Sequence, residues 1–82
     1  MHAETDELAV GRVLGASLWR HRLAKGLTQE KVASLIGISR NHYSHLEGGV
    51  GANGNPANPR LRTLLALALA LDVELSELLS DF

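Results

Sequence analysis

Ser39, Arg40, Asn41, Ser44 and His45 fall within one short segment, SRNHYSH, and each of them can donate or accept a hydrogen bond. Arginine suits the O6 and N7 acceptors of guanine, asparagine suits the N6 and N7 of adenine, and serine and histidine reach a base edge or a phosphate. The set reads bases if the segment is a helix whose intervening Tyr43 and Leu46 turn the other way, into a core. A second group has the chemistry to hold phosphates, which orient a duplex without reporting its sequence. Thr28 and Gln29 stand where a helix begins and free backbone N–H groups gather. Arg60 and Arg62 open a later helix, and Asn53 lies in a glycine-rich loop before it.

Other chemistries find less in the chain. His42 and His45 are three apart, which puts two imidazoles on one helical face as a metal pair would require. The chain has no cysteine, and only His2 and His21 remain elsewhere, so no metal is expected. There is no nucleophile motif and no phosphate-cradling glycine motif after a strand. No catalytic residue, cofactor or small-molecule ligand is therefore expected, and the chain reads as a binding protein rather than an enzyme.

The elements that must position these side chains are legible from Gly26 to Glu47, GLTQEKVASLIGISRNHYSHLE. Val32, Ala33 and Ile36 repeat at helical spacing, as do Tyr43 and Leu46, while Ile38 plugs the angle between the two segments. Thr28 and Ser39 are suited to accept a hydrogen bond from a first-turn N–H, and Gly37 to supply the left-handed backbone that stops the first segment. The spacing predicts a helix-turn-helix over about residues 28–47, whose second helix can enter a DNA major groove.

Around this pair the pattern predicts three more helices. A first helix runs from Asp6 or Glu7 to about Lys25 after a polar, frayed Met1–Thr5, with Val10, Leu14, Leu18 and either His21 or Leu23 inward. Gly11 and Gly15 weaken it but permit close packing. Residues 48–58, GGVGANGNPAN, form a Gly/Asn-rich loop without regular structure, expected to be mobile. A fourth helix opens at Pro59 or Arg60 and runs to Leu71, with Leu61, Leu64, Leu67, Ala68 and Leu71 as its core stripe. A last short helix spans Leu75 to Leu79. Leu65 and Leu69 share another face of the fourth helix, and burying them against a second copy implies a homodimer, with Phe82, Leu78 or Leu79 extending the patch.

At 82 residues and 45% hydrophobic content, the chain reads as one small domain, 1–82. No apolar leader is recognised, and the run Leu64 to Leu71 is too short to span a bilayer, so a cytoplasmic protein without membrane contact is expected. The net charge of −1 hides an asymmetry. All eight Lys and Arg lie between Arg12 and Arg62 with only two acids, Glu30 and Glu47, a segment charge of +6. The other seven acids sit toward the ends, so a basic middle is flanked by acidic tips.

Leu14-Gly15, Leu18, Arg22, Gly26-Leu27-Thr28-Gln29-Glu30, Val32-Ala33, Ile36-Gly37-Ile38-Ser39-Arg40, Tyr43, Leu46-Glu47, Pro59, Leu61, Thr63-Leu64, Leu67-Ala68 and Leu71 through Leu79 resemble the lambda-repressor and Cro-like (XRE) family. The resemblance implies an all-α, compact five-helix bundle that binds double-stranded DNA operators, usually as a dimer and without cofactors. It implies an ion pair between Arg22 and Glu47 that braces the first helix against the third. It leaves two departures: Trp19, where the family has a polar residue, and a loop several residues longer than usual. Trp19 reads either as packing under the acidic tail or as a partner surface. The expected function is a sequence-specific transcriptional regulator, a repressor on an inverted-repeat operator. The alternative is a protein-interaction module, such as an antitoxin, that keeps the fold.

Overall fold

The computed structural model describes residues 7–82, so the expectation for Met1–Thr5 lies outside the described residues. Five helices follow in order: α1 (Glu7–Ala24), α2 (Gln29–Ile36), α3 (Arg40–Gly48), α4 (Leu61–Leu71) and α5 (Leu75–Leu78). Among the described residues there is no strand, only an isolated bridge between Val50 and Pro56. The fold is all-α, and none of its helices is long and apolar enough to cross a membrane.

Local chemistry sets the helix ends. Thr28 Oγ1 accepts from the Lys31 backbone N–H at 3.0 Å, and Ser39 Oγ accepts from that of His42 at 3.0 Å. Each satisfies a donor that the first turn leaves without an intrahelical partner. Gly37 closes α2 at φ 78°, a left-handed backbone that costs a residue with a Cβ about 1–2 kcal/mol. Between the caps, one face of each helix turns inward: Val32 and Ala33 from α2, Tyr43 and Leu46 from α3.

The core joins these to Leu14 and Leu18 of α1, Leu67, Ala68 and Leu71 of α4, and Leu78 of α5. A Cβ on Gly15 would collide with the carbonyl oxygen of Glu47, so only glycine lets α1 and the end of α3 approach this closely. At the other end of the chain, Ser17 Oγ donates to the Leu78 carbonyl at 2.7 Å and fastens α5 to α1 through a buried hydrogen bond.

Several expectations are corrected. Leu61 is not in the core stripe: it is 64% exposed. Helical spacing sets it between Leu65 and Ala68, so its exposure comes from its place as the first residue of α4, at the end of the stripe that Leu64, Leu67, Ala68 and Leu71 continue into the core. Of His21 and Leu23, the two residues expected to face inward in the alternative, His21 is half-buried and Leu23 is exposed. Leu78 is fully buried and Leu79 half-buried, so Leu78 cannot extend an exposed patch. The glycine-rich loop, without helix or strand as expected, closes on itself as a turn, with Gly51 N–H to Asn55 O at 2.7 Å, Gly54 N–H to Gly51 O at 3.0 Å and Ala57 N–H to Gly49 O at 3.0 Å. Its far end is anchored because Ala57 packs on the core.

Candidate nucleic-acid interface

Once Ser39 caps α3 and Tyr43 and Leu46 are sealed inside, helical geometry leaves the other side of α3 to solvent. Ser39, Arg40 and Asn41 are exposed there, while Ser44 and His45, one turn on, are half-buried. The amino-terminal turn of α3 is thus the most accessible part of the face. The Ser39 oxygen is used by its cap, and its hydroxyl proton remains available as a donor.

Beside this face lies the start of α2. Thr28, Gln29 and Glu30 line an open depression with Arg22, Leu27 and Arg40, so the α2 amino terminus and the first residue of α3 share one concavity. Thr28 keeps its hydroxyl proton free, because the cap uses only its oxygen. Gln29 is half-buried and bends toward the interior, where Nε2 donates to Glu47 Oε1 at 3.0 Å. One of its two amide N–H bonds is committed to Glu47, and the other has no protein acceptor among the described residues.

Glu47 is the hub that aligns α3. Its Oε2 accepts from Arg22 Nε at 2.5 Å and from Tyr43 Oη at 2.6 Å, and its Oε1 accepts from Arg22 Nη2 at 3.2 Å as well as from Gln29. Arg22 Nη1 donates to the Leu27 carbonyl at 2.9 Å, tying the same guanidinium to the connection between α1 and α2. Burial alone pushes the Glu47 carboxyl up. The hydrogen bonds from Arg22, Tyr43 and Gln29 outweigh it and hold the group below the usual carboxylate range. The bond to Glu47, opposed by burial, raises the Arg22 guanidinium above its ordinary value, and burial, aided by Glu47, pushes the Tyr43 phenol up. The site is therefore a fixed ion pair within a hydrogen-bonded network, with α1, α2 and α3 each contributing a donor. The resemblance implied Arg22 and Glu47 alone. Tyr43, four residues before Glu47 on the same helix, was legible as a partner from spacing, whereas nothing in the sequence pointed Gln29 at Glu47.

Two charges of the basic segment are neutralised by the acidic end of the chain. Arg20 pairs with Asp81, and Lys25 Nζ lies 3.1 Å from Asp72 Oδ2. No ion pair holds Arg12, Lys31, Arg40, Arg60 or Arg62 among the described residues. The positive charge open to an anion is thus smaller than the segment total and is carried on α2, α3, the amino end of α4 and the first half of α1. Arg60 is the N-cap of α4, and both it and Arg62 are exposed. Asn53 is exposed in the loop turn, where its Oδ1 accepts from the Asn55 N–H at 3.0 Å and its Nδ2 is free to donate.

Apolar side chains also remain outside. Leu61, Leu65 and Leu69 form one stripe along α4, with Leu65 47% and Leu69 83% exposed, and Phe82 is exposed at the chain end. Trp19, half-exposed on α1, is not enclosed by the acidic end of the chain. Among the described residues no group of three or more His, Asp or Glu is arranged to hold a metal ion.

The helix-turn-helix family model HTH_3 matches residues 20–78. The chain is 39% identical over 69 residues to an uncharacterized HTH-type transcriptional regulator, y4dJ, of Sinorhizobium fredii (strain NBRC 101917 / NGR234), covering 84% of this chain and 82% of that protein. Among solved structures it is similar to the restriction-modification controller protein C.AhdI from Aeromonas hydrophila, with a TM-score of 0.72, 37% identity, and coverage of 85% of this chain and 97% of that one. It is also similar to the clp gene regulator ClgR from C. glutamicum, with a TM-score of 0.74 over 88% of this chain and 86% of that one. At 24% identity, the second likeness speaks for the fold alone.

Proposed function

The chain belongs to the XRE-type helix-turn-helix family of transcriptional regulators, and from that premise we propose that it is a repressor that occupies an inverted-repeat operator as a homodimer. The observation that carries the reading is the shared exposure of Arg40 and Asn41 at the start of α3 beside Thr28 and Gln29 at the start of α2. With α3 in the major groove, Arg40 and Asn41 read base edges, and Ser39, Ser44 and His45 complete the contact. Thr28, Gln29, Arg60, Arg62 and Asn53 hold phosphates on either side and set the register. The Leu65 and Leu69 stripe, with Leu61 and Phe82, supports pairing of two copies across a two-fold axis. Such an axis sets recognition helices about 34 Å apart, one turn of the duplex. The protein acts in the cytoplasm, bound to the nucleoid.

Selection from a library of genomic fragments at low and moderate salt tests this. Enrichment of inverted repeats is expected, with affinity falling by about 0.9 log unit per log unit of salt for each phosphate neutralised. No enriched sequence, and no binding at low salt, would overturn the proposal and leave a protein-interaction module in its place.

A further inference from the structure

Residues 53 and 54 form an Asn-Gly pair at the tip of the turn in the loop between α3 and α4. The geometry points to Asn53 as a self-modification site, where intramolecular deamidation converts a neutral side chain into a carboxylate. The effect on DNA rests on the functional reading above, whereas the chemistry does not.

The reaction needs a backbone nitrogen one residue on that can lose its proton and attack the side-chain amide carbon. Only one asparagine of the chain meets that need. Asn55 and Asn58 precede Pro56 and Pro59, whose nitrogens carry no proton. Asn41 lies in α3, where helical hydrogen bonding fixes the backbone. Asn53 is exposed and is followed by Gly54, around which a Cβ would meet nothing within 4 Å. Water and base therefore reach the pair, and no side chain on residue 54 crowds ring closure.

The hydrogen bonds of the turn bear on the step directly. The Asn55 N–H donates to Asn53 Oδ1 at 3.0 Å, which polarises the side-chain carbonyl and faces the oxygen on which negative charge develops. The Gly54 N–H donates to Gly51 O at 3.0 Å and must leave that carbonyl before base removes its proton. Opening of the turn is thus the gate. The freed nitrogen then attacks Asn53 Cγ, a Cγ–N bond forms, the Cγ–Nδ2 bond breaks, and Nδ2 leaves as ammonia. Water opens the resulting cyclic imide at either carbonyl to give aspartate or isoaspartate. The net change is amide plus water to carboxylate plus ammonium, with no oxidant or reductant.

A carboxylate at this position replaces a hydrogen-bond donor to phosphate with a like charge. The test holds the native full-length chain at neutral and mildly alkaline pH and maps its peptides by mass, with the urea-unfolded chain as a positive control. We expect an amide-to-acid mass change in the peptide carrying Asn53, faster at higher pH and absent in Asn53→Gln. A native chain unchanged over a period in which the unfolded chain has converted would overturn the site, as would conversion confined to another asparagine. In DNA binding at low salt, Asn53→Asp should be about five-fold weaker than Asn53→Ala, the factor for a unit like charge about 4 Å away in water. Equal affinities for those two variants would overturn the consequence. Failure of the wild-type chain to bind any DNA would instead refute the operator-binding reading, because the mass change is measured without DNA.

Discussion

Replacing Glu47 with alanine should remove a large share of the stability of this domain. The Glu47 side chain is only 7% exposed and that of Arg22 12%, so truncation leaves a guanidinium largely out of water without its counter-charge. Removing one partner of a buried pair typically costs about 3–5 kcal/mol. At roughly 0.05–0.15 kcal/mol per residue, a chain of this length has about 4–12 kcal/mol in all. The Tyr43 hydroxyl and the Gln29 amide also lose their acceptor, which places the expected loss toward the upper part of that range. Glu47→Gln keeps the shape and one accepting oxygen but loses the charge and turns the other oxygen into a donor, so a smaller cost of about 1.5–3 kcal/mol is expected. Urea unfolding followed by far-UV circular dichroism measures both, with an unchanged dependence on denaturant marking a true stability effect. The double variant Arg22→Met with Glu47→Leu removes the pair together and should be more stable than Glu47→Ala, because no charge is left buried alone. The same carboxylate gives stability a pH dependence. Its folded-state value lies below the ordinary 4.5, so its contribution is complete above that value and disappears as pH falls through the lower one. The gap between wild type and Glu47→Gln should therefore close in acid. A loss below about 1 kcal/mol for Glu47→Ala, the size of an ordinary exposed pair, would refute the view that this network aligns α3.

Arg40→Ala should relax preference at one base position and cost about 1–3 kcal/mol on the selected operator, whereas Arg62→Ala should weaken all sequences alike. Quantitative binding to a panel of single-base operator variants separates the two, and an unchanged preference in Arg40→Ala would rule out the proposed docking of α3. Leu65→Glu with Leu69→Glu should leave a folded monomer, visible by sedimentation over rising concentration. A double variant that associates as the wild type does would place the dimer contact elsewhere. Gly15→Ala sets two effects against each other: alanine favours the helix by about 1 kcal/mol, but its Cβ meets the Glu47 carbonyl. The collision is with backbone, so a net loss of about 1–3 kcal/mol in urea unfolding is expected, and a stabilised variant would show that α1 moves aside freely.

The sequence by itself determined the features that depend on neighbours along the chain. Thr28, Gly37 and Ser39 mark the turns of the helix-turn-helix because a cap is a hydrogen bond across three residues or a backbone angle at one. Val32, Ala33, Tyr43 and Leu46 are buried because helical spacing commits one face of a short helix to the core. The same spacing misassigned Leu61. Leu61 borders both apolar stripes of α4, and spacing alone does not say whether the first turn of a helix is covered by the bundle. Only the tertiary structure decided that, together with the half-burial of Ser44 and His45. It also decided the contacts that join distant segments: Gln29 turning onto Glu47, Arg20 and Lys25 meeting Asp81 and Asp72, and the glycine-rich loop closing around Gly51 and Asn55. Long flexible side chains reach many partners, and which acid each meets depends on helix crossing and on where the chain end folds back. Neither is written in the residues beside them.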